Sequence, residues 1–329
     1  MGARTVDTRV CCVLVVCGEA VLDLISDGSA AGYQARPGGS PVNVAVGAAR
    51  LGTPTSLLAR FGSGHFGRML RSHAAGAGVD LSLSVDVDEP ATLAVVSLDS
   101  AGTAGYDFYV EGTADWGWQP RELPDPLPDD IGALHIGSIS SWLRPAAGLI
   151  AELVARESQR GAVLLSFDPN LRPALVHEPA SARAFVEHLA QVAHLVKVSV
   201  EDLRWLYPLA DPDATARSWA HAGPALVVLT DGVHGVRAYR PRRPAHSLPA
   251  HEVSVVDTVG AGDAFTAGLL SALADRDRLH RHGLDDLGDA ELGDILASAG
   301  LVAALTCTRI GADPPSREER DAALTPRQP

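Results

Sequence analysis

The chain has 329 residues, 46% hydrophobic and 20% charged, the make-up of a globular protein with a sizeable core. A formal net charge of −13 argues against nucleic acid or an anionic membrane surface as the main partner. Lys197 is the only lysine, which excludes a Walker A phosphate loop and leaves any bound phosphate mainly to arginine, backbone N–H groups and metal.

Residues 1–9 are polar and read as a tail. Val10–Cys17 is a continuous apolar run, predicting a strand buried on both faces. It is too short to span a membrane, and Gly18-Glu19 follows it instead of a signal-cleavage pattern, so a cytoplasmic protein is expected. Cys11, Cys12 and Cys17 fall in this run and Cys307 lies far from it, with no C-x-x-C pair, so all four read as reduced thiols. Asn43–Leu51 is Ala-rich and helical, Thr55–Phe61 reads as a strand, and Phe66–Gly76 as a helix. Ala91–Leu98 and Tyr106–Val110 alternate like strands exposed on one side, suiting a small sheet that projects from the core. Ala133–Ile136, Val163–Phe167, Leu195–Val198 and Leu226–Thr230 are short apolar runs separated by helix-length segments. That alternation predicts an α/β fold with a mainly parallel sheet. Pro120–Asp130 and Arg240–Pro249 read as Pro-rich connections, Val253–Val256 as a strand, Ala264–Leu273 as a helix, and the segment after Ala312 as irregular surface chain.

Asp257-Thr258-Val259-Gly260-Ala261-Gly262-Asp263 joins the last predicted strand to that helix. Small residues before a helix start bring N–H donors and positive dipole to an anion. Asp263 would repel a static phosphate, but it suits a base acting on an attacking hydroxyl. Gly38-Gly39 enters the helix bearing Asn43, either as a plain turn with a capping Asn or as a polar ligand edge. Asp23 reads either as a solvated loop acid or as an acceptor for a vicinal diol. Arg172 follows the strand ending at Phe167, where a planar fork could reach phosphate. Thr230–Gly235 could be a simple Asp-Gly hairpin. Gly62–Gly67 fits G-x-G-x-x-G with Asp86 about twenty residues on, which makes an NAD-dependent dehydrogenase the competing reaction class. A non-catalytic sugar or nucleotide sensor is a third reading, opposed by the intact Gly260–Asp263 run.

Asp257–Leu270 (DTVGAGDAFTAGLL) resembles the C-terminal signature of the ribokinase-like, or PfkB, carbohydrate kinases. Gly38–Gly52 resembles their N-terminal signature, and the likeness runs from about Val13 to Pro315. It implies a ribokinase-like three-layer α/β/α sandwich with a small β-sheet lid from about residues 19–37 and 91–112. One domain would cover residues 10–315, with tails at 1–9 and 316–329. The implied reaction is ATP-dependent phosphorylation of a primary hydroxyl on a small sugar, with Asp263 as base and Gly260, Ala261, Gly262 and Arg172 around the transferred group. Asp23, Gly38, Gly39, Asn43 and Phe108 would hold the sugar. Lys197, Ser199, Thr230, Gly232, Gly235 and Gly300 would hold the nucleotide, although Gly300 replaces a side chain often found near adenine. Glu201 and Asp202 would order Mg²⁺ through water, with Ser199 and Asp202 standing where the family has Asn and Glu. Asp257, Val259, Thr306, Arg309 and Gly311 match a monovalent-cation (K⁺) site, but Pro315 stands where a Ser ligand is expected. The family likeness also suggests a homodimer through the lid.

Gly18–Ile25, Phe108–Trp116 and His135–Ser140 resemble bacterial fructokinases. Val110 occupies the place where 2-keto-3-deoxygluconate kinases usually carry Arg, so a neutral ketose, fructose, is expected. 2-Keto-3-deoxygluconate, ribose, nucleosides and other ketoses are the alternative substrates.

Overall fold

The computed structural model describes residues 12–26, 32–98 and 104–324. In chain order, β1 (Val13–Cys17) is followed by β2 (Val21–Ser26), β3 (Tyr33–Gly38), α1 (Ser40–Arg50) and β4 (Thr55–Leu58). Next come β5 (Arg60–Gly62), α2 (His65–Gly76), β6 (Val85–Val87), β7 (Thr92–Leu98) and β8 (Ala104–Tyr109). Strand and helix then alternate through β9 (Ile131–Gly137), α3 (Ala146–Arg160), β10 (Leu164–Asp168), α4 (Pro179–Val192) and β11 (Leu195–Ser199). After α5 (Val200–Leu206) and α6 (Pro212–Ala222) come β12 (Leu226–Thr230), β13 (Val236–Tyr239) and β14 (His246–Leu248). The described chain closes with α7 (Ala261–Ala274), α8 (Asp289–Cys307) and α9 (Arg317–Leu324).

Eight strands form the main sheet, in the order β14-β13-β12-β11-β10-β9-β1-β4. The six from β12 to β4 pair in parallel, and β13 and β14 add an antiparallel edge. All seven residues of β9 are buried, as expected of a mostly apolar strand covered on both faces, and its one polar side chain, His135, meets the Ser166 hydroxyl of β10 at 2.9 Å. Alternate residues of β1 serve separate cores. Leu14 and Val16 pack with α1, α2, α7 and α8, while Val15 and Cys17 pack with α3, α4, α5 and α6. The result is the expected three-layer sandwich. Helix α8 is long and apolar enough to cross a membrane, yet half of that stretch is buried inside this fold.

The lid is a separate four-stranded sheet, β3-β2-β7-β8. Arg36, Asp23, Ala94 and Phe108 lie opposite one another across it and therefore share a face. Residues 27–31 and 99–103, within or beside the expected lid segments, fall outside the described residues, as do Val10 and Cys11.

Four sequence expectations need correction. Thr55–Phe61 is not one strand: β4 stays in the main sheet, while β5 pairs with β6 in a two-stranded ribbon. Arg240–Pro249 is not only connection, because β14 extends the sheet edge there. Val253–Val256 is not a strand. Val255 and Val256 are 57% and 59% exposed, and the segment has no sheet partner. The chain after Ala312 is not irregular, because Ser316 and Glu319 form a capping box that starts α9.

The same ribbon removes the dehydrogenase reading. A dinucleotide fingerprint needs its first strand inside the parallel sheet, whereas Gly62 ends β5, outside it. Gly67 serves packing: a Cβ there would lie 1.8 Å from the Gly62 carbonyl oxygen. Asp86 pairs with Arg71 at 3.2 Å.

Candidate active site

The site forms where the C-terminal ends of β1, β9, β10 and β11 meet the N-termini of α1 and α7, beneath the lid. Gly260 starts α7 from a left-handed conformation, with φ of 75°, and a Cβ there would stand 2.5 Å from that of Ala312. This turn places Asp263 in the first helical turn, 6% exposed. Ser40 Oγ donates to Asp263 Oδ1 at 2.7 Å, and Asn43 Nδ2 donates to Oδ2 at 2.8 Å. Asn170 Nδ2 adds a third bond to Oδ1 at 3.3 Å. Burial raises the Asp263 pKa above its ordinary value. The hydrogen bonds from Ser40 and Asn43 and the charge of Arg172 oppose the rise, and the charge of Asp168 adds to it.

Asp23 belongs to the same electrostatic cluster. Burial pushes its pKa up to about 6, with Arg172 opposing and Asp263 adding to the shift. Gly38 is required beside it, because a Cβ there would sit 2.4 Å from Asp23 Oδ2. Gly39, at φ 93°, turns the chain into α1. Arg172 Nη1 is steered by Asn170, donating to its Oδ1 at 2.7 Å and its carbonyl at 3.1 Å. Asn170 itself has φ of 38°, a strained backbone for a residue other than glycine.

Lys197 lies at the other side of α7. Its Nζ donates to Asp168 Oδ2 at 3.0 Å and lies 3.2 Å from where a Gly262 Cβ would be. Burial opposes its charge, but Asp168, Asp202 and Asp263 outweigh that and hold its pKa above the ordinary value. Asp168 Oδ1 is buried without a hydrogen-bond partner among the described residues. Asp202 accepts from Leu171 N at 2.8 Å and from Ser199 Oγ at 2.8 Å, so it caps α5 and fixes the Arg172 loop together. Burial raises the Asp202 pKa, and the charge of Asp168 adds to it. Glu201 is exposed on the same turn.

Two loops meet beyond α7. Asp257 accepts from Val259 N at 3.0 Å and from Gly311 N at 2.8 Å, so its carboxylate clasps both halves of the expected cation loop. The carbonyls of Thr306 and Gly311 accept from Arg309 N and Asp313 N. Ala261 N is donated to Thr258 O at 3.2 Å, which leaves Gly262 and Asp263 as the next donors of the helix start.

Asp23, Gly38, Asn43, Arg172, Lys197, Gly262 and Asp263 are thus brought together. Phe108 shares only the lid face of Asp23. Thr230 reaches Val198 O at 3.5 Å, and Gly235 is needed for hairpin packing, its Cβ position being 2.2 Å from Leu248 O. Gly300 faces the ring of His251, 3.4 Å from its Cβ position. Ser40, Asp168, Asn170 and Thr266 were missing from the predicted set. The strings Gly-Gly-Ser-Pro and Asp-Pro-Asn-Leu-Arg held the first three, but only the fold turns them onto Asp263 and Lys197.

A sequence profile of the pfkB family carbohydrate kinases matches residues 13–319. The chain belongs to that family. It is 38% identical over 301 residues to a fructokinase of Klebsiella pneumoniae, covering 90% of this chain and 94% of that one. A double mutant of the fructokinase from Vibrio cholerae O395, determined with fructose, ADP and a potassium ion, superposes with a TM-score of 0.83 at 30% identity, covering 96% of this chain and 99% of that one. Aminoimidazole riboside kinase from Salmonella enterica, determined with aminoimidazole riboside and an ATP analogue, gives 0.81 at 26% identity, covering 95% and 100%. This pfkB kinase is therefore an ATP-dependent carbohydrate kinase.

Proposed function

We propose that this pfkB kinase phosphorylates a primary hydroxyl of fructose. The observation that carries the reading is Asp263, buried at a helix N-terminus and oriented by Ser40 and Asn43, with Asp23 and Arg172 in its electrostatic reach. Asp23, Asn43, Gly38 and Gly39 hold the sugar, and Phe108 flanks it from the lid. Asp263 takes the proton of the attacking hydroxyl. Its raised pKa makes it a better base than an exposed carboxylate. As negative charge redistributes over the transferred phosphoryl, the N–H groups of Gly262 and Asp263 and the Arg172 guanidinium stabilise it. Lys197 supplies a compact positive charge beside Gly262.

ATP approaches from the side of Ser199, Thr230, Gly232 and Gly300. Magnesium keeps several waters when bound. The exposed Glu201 and Asp168 Oδ1, which has no hydrogen-bond partner among the described residues, fit a water-mediated role, whereas both Asp202 oxygens already accept hydrogen bonds. Magnesium would shield phosphate charge. The clasped 257–259 and 306–311 loops fit K⁺, and the potassium in the Vibrio structure supports that reading. The lid strands carry Tyr33 and Tyr109, 49% and 60% exposed, and suit pairing with a second lid in a homodimer.

The test is a coupled ADP-release assay with fructose, ribose, aminoimidazole riboside and 2-keto-3-deoxygluconate. Fructose should give the highest kcat/KM. Val110 offers a sugar carboxylate no charge, so unless Arg36 on the lid face or Arg144 beside Val110 turns to pair with it, its desolvation costs roughly several kcal/mol. A preference of about tenfold for the acid sugar, about 1.4 kcal/mol, would overturn the choice of fructose.

A further inference from the structure

The chain passes between core and lid at four places: Ala20–Val21, Gly38–Gly39, Ala91–Thr92 and Tyr109–Val110. Three of them bond to one buried polar cluster, and the fourth, at Gly38–Gly39, packs against the backbone of Glu19 and Val21 beside it. Asp115 sits in a short 3₁₀ turn, Ala114–Trp116. Its Oδ1 accepts from Ala20 N at 2.7 Å, and its Oδ2 accepts from the Thr92 hydroxyl. Thr113 Oγ1 lies 2.6 Å from Thr92 Oγ1 and donates to Val110 O at 2.9 Å. Glu19, one residue before Ala20, accepts from Ile139 N at 3.1 Å and Ser140 N at 3.0 Å, which anchors it to the turn after β9. Gly39 closes the set, since a Cβ there would stand 2.7 Å from Glu19 O and 2.9 Å from Val21 N.

Glu19 and Asp115 are 1% and 2% exposed, and Thr92 and Thr113 are 0% and 7% exposed. Burying two carboxylates near each other is costly. Burial pushes the Asp115 pKa up to about 7, with the charge of Glu19 adding to it, and burial raises that of Glu19 as well. None of the hydrogen bonds to Asp263 involves these residues. What they share is the lid. Asp23 lies three residues beyond Ala20, roughly 10 Å along a strand. Ala94, two residues beyond Thr92, is the β7 neighbour of Asp23.

We propose that Asp115 is a positioning residue, whose grip on Ala20 and Thr92 sets where the lid holds Asp23 relative to Asp263. The inference rests on the reading of Asp23 as a sugar ligand. Asp115 touches neither sugar nor phosphate. It acts through the first strand of each lid hairpin, β2 and β7, and Thr113 carries the same fixation to the chain leaving β8. A displaced Asp23 would weaken sugar binding and let water reach the phosphoryl group in place of the hydroxyl.

The test compares Asp115→Ala, Asp115→Asn and Thr92→Val in the full chain. It measures KM for sugar, KM for ATP, and ADP formed per sugar phosphate formed. Asn can accept from Ala20 N with its oxygen and donate to Thr92 Oγ1 with its amide, so it should restore the clamp. Asp115→Ala is expected to raise the sugar KM about tenfold, leave the ATP KM within about twofold, and lift the ADP ratio above one. Thr92→Val should move the same quantities in the same direction, and Asp115→Asn should return them to near wild type. A folded Asp115→Ala with wild-type sugar KM and a ratio of one would overturn the proposal. So would equal losses for sugar and ATP, the pattern of general structural damage. If the alanine variant does not fold, Thr92→Val decides by the same criteria. Wild-type protein that phosphorylates none of the sugars would instead overturn the kinase reading, and this inference with it.

Discussion

Asp23→Asn should make the protein more stable and unable to hold its sugar. In the folded chain burial pushes the Asp23 pKa from its ordinary 3.8 up to about 6. Between those values the folded state binds more protons than the unfolded state. The group therefore lowers stability as pH rises through this window. Above pH 6 the full penalty applies, and below about 4 it vanishes. A rise of this size corresponds to about 3 kcal/mol against the ionised form. That figure is already net of the attraction to Arg172, and a half-buried Asn amide keeps part of the desolvation cost, so the net gain at pH 8 should be about 1–3 kcal/mol. Urea unfolding of both proteins at pH 8 and pH 4.5, without ligands, measures it through the shift in midpoint. Calorimetry with fructose checks the loss of binding. A variant less stable than wild type at pH 8, or a stability difference that does not change with pH, would refute the assignment of Asp23 as a carboxylate strained by burial.

Asp263→Asn should lower kcat by about 10²–10⁴-fold while leaving the fold and nucleotide affinity near wild type, measured by steady-state kinetics and thermal shift with ATP. Near-normal turnover would remove Asp263 as the base. Lys197→Met should cost about 3–5 kcal/mol at pH 8, because Asp168 would keep a buried charge with only the Thr266 hydroxyl as hydrogen-bond donor. Adding Asp168→Asn should recover much of that loss. Single and double variants with equal stability would show that the pair is not coupled.

The alternation of apolar runs with helix-length segments was enough to read the parallel sheet, because strands buried on both faces stay mostly apolar even where His135 or Lys197 interrupts them. The two glycine-rich signatures located Asp263, Gly38 and Asn43 for the same reason: their backbone turns are local. What was not legible depended on distant partners. Ser40 meets Asp263 across 223 residues, and nothing within Gly-Gly-Ser-Pro distinguishes that role from a helix start. Val253–Val256 has the composition of a strand, yet the sheet edge is already taken by β14 and it stays exposed. The capping box at Ser316 and Glu319 was readable locally, but the polar composition around it pointed to an irregular segment. Glu19, Thr92 and Asp115 lie in three separate segments, and only the lid's attachment to the core brings them together.

The chain carries its basic charge almost entirely as arginine, and this sets the chemistry of its surface. Lys197 is 5% exposed, so apart from any free α-amino group the folded chain presents almost no amine to solvent. Enzymes that attach acetyl groups or ubiquitin to lysine have no exposed target in the described fold. Lys197 is buried and paired with Asp168 at 3.0 Å, so an acylating reagent reaches this ε-amine only when that pair opens to solvent. Labelling at Lys197, read by peptide mapping apart from any α-amine and compared at one pH, therefore tracks how often this buried pair opens, without any engineered probe.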